Sequence, residues 1–162
     1  MVNHKLILEE DLEEDFALIA IHCAVEDYKM ASLCNRALKF LLKRKPVDLD
    51  FSEDGLVVTF PWFEYDNTSN YVSYDLVKNR CRSLKAKTFA SGGLFTEDSQ
   101  SETTAYLLPE LRKVDYLLKI SGDGALPSLR PIVDGLKKIS EVISAYEVDT
   151  SGLKSINNLI FD

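Results

Sequence analysis

Tyr106-Leu107-Leu108-Pro109-Glu110-Leu111-Arg112-Lys113-Val114-Asp115-Tyr116-Leu117-Leu118-Lys119-Ile120 sets two apolar runs around a short polar segment punctuated by Pro109 and Glu110. The second run, Val114 to Ile120, has the length and apolar character of a buried strand. Ser121-Gly122-Asp123-Gly124 then reads as a turn. Leu129, Ile132, Val133, Leu136 and Ile139 follow at helical spacing, with Pro127 and Pro131 tolerable only in a first helical turn. Val142 to Val148 is the next strand. Strand, helix and strand in this order make a βαβ unit, whose two strands should be parallel and side by side in one sheet.

Upstream, Val25 to Leu38 carries Tyr28, Ala31, Cys34 and Leu38 at helical spacing, with acids early and bases late, as the helix dipole prefers. Phe16 to Ile21 is a continuous apolar run that fits a helix or a strand, and the strand reading is preferred. Lys5 to Glu9 is a short strand candidate, and the acids Glu9 to Asp15 could open a helix. The middle of the chain is β-rich. Asp54-Gly55 is a hairpin turn signal. Leu56 to Tyr65 is a strand interrupted at Pro61. Asn67-Thr68-Ser69 has the form of a glycosylation sequon but reads as a turn. Tyr71 to Val77 puts Val72, Tyr74 and Leu76 on one face, and Cys81 to Ala86 would complete an antiparallel meander. A polar loop is expected at about 90–104, and Asn157 to Phe161 as a last strand or docked tail.

The 162 residues suit a single domain able to bury a core. With 46% hydrophobic and 28% charged residues, composition excludes wholesale disorder. A net charge of −7 opposes a phosphate backbone, so nucleic acid is an unfavoured partner. Local basic clusters at Lys39, Lys43, Arg44 and Lys45, and at Lys78, Arg80, Arg82, Lys85 and Lys87, keep an RNA-associated accessory role as an alternative. The three cysteines, Cys23, Cys34 and Cys81, show no CxxC spacing and read as buried thiols of a reducing compartment. A short apolar start followed by acids does not resemble a secretory signal, and no run approaches membrane-spanning length. A cytoplasmic location without membrane attachment is expected.

No motif points to catalysis, a cofactor or a metal. Gly122 and Gly124 precede a helix as in anion-binding loops, but the spacing is not GxGxxG, and two prolines remove donors. His22 and Cys23 are adjacent, so their side chains diverge on a strand or a helix. Glu110, Asp115 and Asp149 could serve acid–base chemistry only if the fold brought them together, which leaves a small enzyme as a further alternative. Phe60, Trp62, Phe63, Tyr65, Tyr71 and Tyr74 cluster on one predicted hairpin. They read as core aromatics, and Trp62, Phe63, Tyr65 and Tyr71 as a protein-binding surface if Trp62 and Tyr65 are exposed.

Leu108-Pro109-Glu110 followed by Val114-Asp115-Tyr116 resembles the signature of the IPExxVDY family, a group of small Bacteroidetes proteins. Glu26-Asp27-Tyr28-Lys29, Phe63-Glu64-Tyr65 and the tail from Tyr146 to Phe161 resemble it as well, so the likeness runs along most of the chain. Leu111, Arg112 and Lys113 separate Glu110 from Val114, one residue more than the family pattern. The family carries no assigned activity or catalytic residues, so the resemblance implies no site. The expectation is one α+β domain: a mostly antiparallel sheet, helices around Val25–Leu38 and Leu129–Ile139, and a non-catalytic role with an unknown protein partner.

Overall fold

The computed structural model of the chain describes residues 15–53, 56–84 and 102–161. The strands are β1 (Phe16–His22), β2 (Lys43–Arg44), β3 (Leu49–Glu53), β4 (Leu56–Phe60), β5 (Trp62–Asn67), β6 (Val72–Lys78), β7 (Arg80–Leu84), β8 (Glu102–Tyr106), β9 (Tyr116–Gly122) and β10 (Ser144–Val148). The helices are α1 (Asp27–Leu38) and α2 (Arg130–Lys137). Short 3-10 turns cover Pro109–Leu111, Thr150–Gly152 and Ile156–Leu159. The fold is α+β. The strand candidate Lys5–Glu9, the acidic helix start, the Asp54-Gly55 turn and most of the expected polar loop lie outside the described residues, while Glu102 to Thr104 belong to β8.

Six strands form an antiparallel sheet in the order β10-β1-β9-β6-β5-β2. The βαβ unit is present in split form. β9 and β10 are both antiparallel to β1, hence parallel to each other, but β1 lies between them. The side-by-side expectation is corrected on this point. β1 is apolar on both faces and fills the gap beneath the crossover, which settles its helix–strand ambiguity in favour of a strand.

Both faces of the sheet are covered. On one, Ile19, Ile21, Leu76, Leu118, Ile120 and Ala145 pack with Met30, Ala31 and Cys34 of α1 and Ile132 and Leu136 of α2. On the other, Leu18, Ala20, Val77 and Leu117 pack with Val58 and Phe60 of the β3–β4 hairpin, with Leu107 and Leu108, and with Leu159 of the tail. This double burial is why Tyr116 to Ile120 reads as an apolar run broken by Lys119 alone. Two chain paths differ from the meander predicted by alternation. At Pro61, which has no N–H for the ladder, the chain leaves the β3–β4 hairpin and enters the main sheet. After Lys78 it leaves the main sheet, and β7 pairs with β8 instead.

Gly122 faces Val72 across the β6–β9 ladder, where an added Cβ would lie 2.7 Å from the Tyr71 carbonyl oxygen. Backbone cannot yield as a side-chain tip can. Gly122→Ala is expected to cost roughly 1–3 kcal/mol, read by urea denaturation, through separation of these strand ends.

Candidate functional site

The segment Tyr106 to Ile120 is held by four polar residues, Asn79, Glu110, Asp115 and Tyr116. Asn79 is fully buried. Its Nδ2 donates to the carbonyl oxygens of Leu111 (2.8 Å) and Val114 (3.1 Å), and its Oδ1 accepts from the Leu108 amide (2.8 Å). Its backbone N–H donates to the Asp115 carbonyl, and its own carbonyl accepts from Leu107. Asp115 Oδ2 accepts the Cys23 amide at 2.9 Å, and Tyr116 OH donates to the Val25 carbonyl. Glu110 Oε1 accepts the Ser155 amide at 2.7 Å, and the backbone N–H of Glu110 itself, followed by Ser155 and Lys154, holds the carboxyl below the usual range. The Leu108-Pro109-Glu110 and Val114-Asp115-Tyr116 elements thus tie β6, the β1–α1 connection and the tail to one another.

Beside Asp115 lies a cavity of about 500 Å³ lined by Cys23, Glu26, Lys78, Arg80, Cys81 and Tyr116, among others. Its charges face one another: Lys78 lies 4.0 Å from Glu26, and Arg80 lies 3.7 Å from Asp115. Burial pushes both the Cys23 and Cys81 thiols up, which keeps them protonated at neutral pH and poor as nucleophiles. Glu110, Asp115 and Asp149 are not brought together. Each has its own structural partner, Asp149 accepting from the Ser151 amide and hydroxyl. His22 turns away from Cys23, and its Nε2 lies 3.2 Å from Tyr146 OH. Among the described residues no group of three or more His, Cys, Asp and Glu is placed to hold a metal ion.

The four aromatic residues considered for protein binding do not form one surface. Trp62 is 5% exposed and Phe63 7%. They belong to opposite faces of the sheet, as adjacent strand residues must. Tyr65 is half-buried and stacks on Tyr74 with ring centroids 5.7 Å apart. Tyr71 is exposed in the β5–β6 turn, with φ 55°. The condition for a docking patch there, exposure of Trp62, is not met. The basic clusters are partly neutralised: Lys45 pairs with Glu64 at 2.8 Å, Arg44 with Asp48, Lys78 with Glu26 and Arg80 with Asp115.

Two features escaped residue-by-residue reading. The first is a buried charge pair. Asp75 and Lys119 are opposite one another on β6 and β9, 5% and 4% exposed. Trp62 Nε1–H donates to Asp75 Oδ1 at 2.8 Å. The Lys119 ammonium lies 5.2 Å from the Phe16 ring centroid and 4.9 Å from that of Phe161. Burial pushes the Asp75 carboxyl up to about 6, against the pull of the Trp62 hydrogen bond and the Lys119 charge. Charges inside two apolar strands were the available signal.

The second is the sheet edge at β10. The opposite edge, β2, is two residues long and is followed by Lys45 and Pro46, which discourage further pairing. β10 is five residues long, contains no proline or lysine, and carries one charge, Glu147. Among the described residues its only strand partner is β1. Ile143, immediately before it, is 81% exposed, and Tyr146 within it is 43% exposed. Local sequence showed the strand. Only the strand order shows that it lies at an edge.

No family model, curated protein or solved structure matches the chain. Among the described residues no helix is long and apolar enough to cross a membrane.

Proposed function

We propose that the chain is a cytoplasmic, non-catalytic protein-interaction module that receives an extended segment of a partner as an added strand along β10. The observation that carries this reading is the β10 edge, which among the described residues pairs with β1 alone, with the exposed Ile143 and Tyr146 beside it. An added strand gains main-chain hydrogen bonds from the edge and side-chain contacts at alternate positions. Polar residues elsewhere serve the fold: Asn79, Asp115, Tyr116 and Glu110 are engaged in holding segments in place.

A photoreactive residue at position 143 tests the reading against one at position 57. Val57 is also exposed, at 62%, but sits on the β3–β4 hairpin, away from the edge. Position 143 should crosslink a defined segment of a cellular protein, and position 57 should not. Equal labelling from both positions, or none from 143, would overturn the proposal. Ile143→Lys should abolish partner capture and leave stability within about 0.5 kcal/mol, as expected of an exposed substitution.

A further inference from the structure

Resting on the strand-docking reading, we infer that the segment accepted by β10 is basic, alternating apolar residues with lysine or arginine. From Glu141 to Asp149 the chain carries three carboxylates, Glu141, Glu147 and Asp149, and no lysine or arginine. They lie before, within and just after β10. Hydrogen bonds from Ser140 and Ser151 hold the Glu141 and Asp149 carboxyls below their usual ranges, so both are ionised at neutral pH. Lys29, 3.9 Å from Glu141, and Arg36 are the countercharges that α1 brings near Glu141. The strip is therefore acidic around two exposed apolar side chains, Ile143 and Tyr146.

Across such an edge the side chains of an incoming strand meet those of β10 directly, and like charges opposite one another are unfavourable. A lysine or arginine in register with Glu147 would meet an opposite charge, and an apolar residue next to it in the incoming strand would face Tyr146 on the other side of the sheet. A second copy of this chain would bring three more carboxylates to the same strip, and its charge of −7 would be repelled at long range. A basic partner segment would instead be steered towards it.

Selection of a displayed random-peptide library on the full-length chain, at low salt, tests this. Enriched peptides should be rich in lysine and arginine as well as β-branched and aromatic residues. The best of them should bind Glu147→Lys roughly fivefold or more weakly. Its affinity for the unaltered chain should fall as salt rises, and Ile143→Lys should abolish binding. If enriched peptides are neutral or acidic, lose binding with Ile143→Lys and are indifferent to Glu147→Lys, the basic-partner inference fails while strand docking stands. If nothing is enriched, or binding survives Ile143→Lys, both fail.

Discussion

Asn79→Ala is expected to cost roughly 3–5 kcal/mol, a loss that a domain of ordinary stability would barely survive. Alanine would remove three side-chain hydrogen bonds and leave the Leu108 amide and the Leu111 and Val114 carbonyls without them. Asn79 is fully buried, so water is poorly placed to replace the amide. Leaving a buried polar group without a partner costs about 1–3 kcal/mol, more than the net gain from making the bond. Asn79→Asp should be nearly as damaging. It preserves an acceptor for Leu108 but aims a carboxylate at two carbonyl oxygens. Urea unfolding of the two variants, with circular dichroism to check for folded protein, measures the loss. A cost under about 1 kcal/mol would mean that the 106–116 segment is held by its apolar contacts alone.

The second large effect concerns Asp75 and Lys119. Lys119→Met should cost about 3–5 kcal/mol at pH 7, because it leaves a buried carboxylate without its countercharge. Adding Asp75→Asn should recover most of that loss. The amide oxygen can still accept the Trp62 N–H, and no lone charge remains. The pH dependence has a definite sign. The carboxyl of Asp75 is raised from 3.8 to about 6 in the native chain, so between those values the native state holds a proton that the unfolded chain has released. This group's contribution to stability therefore falls as pH rises from about 4 to about 6 and is level above that. The change amounts to about 3 kcal/mol. The carboxylates with lowered values, Glu110, Glu141 and Asp149, work in the opposite direction. The difference between the unaltered chain and Asp75→Asn, measured at several pH values, isolates the slope. A flat difference would show that Asp75 is not desolvated as the structure requires.

The readable parts of the sequence were those whose pattern is local. The stripe Ile132, Leu136 and Ile139 is buried as its spacing predicts, and so are Ala31 and Cys34 of α1 with Leu38 packed beside them, but Tyr28, expected on that face, is 69% exposed and Met30 fills the core instead. Val72, Tyr74 and Leu76 face the helices together, as alternation requires. Phe16 to Ile21 resisted assignment because a strand buried on both faces loses its alternation, and that burial depends on layers supplied from elsewhere in the chain. The insertion of β1 between β9 and β10 joins residues more than ninety positions apart. No periodicity records such a pairing. The departure of β7 from the meander follows one buried asparagine, Asn79, whose partners lie about thirty positions away.

The candidate site was less legible. Trp62, Phe63, Tyr65 and Tyr71 read as core aromatics that would form a docking surface if Trp62 and Tyr65 were exposed, because aromatic residues suit interfaces and cores alike. The adjacency of Trp62 and Phe63 already required opposite faces, and both faces proved to be buried. Ile143 and Tyr146 looked like ordinary strand residues, and their exposure depends on β10 being outermost. Asp115, considered for acid–base chemistry, binds the backbone of the β1–α1 connection, as does its neighbour Tyr116.

Amide hydrogen exchange on the full-length chain, with and without a saturating basic peptide from the library selection, tests the central claim most directly. The account requires slower exchange within Ser144–Val148 when the peptide binds, with little change in the β5–β6 turn around Tyr71. Unchanged exchange in β10 despite demonstrated binding, or protection gathered at the β5–β6 turn, would contradict it.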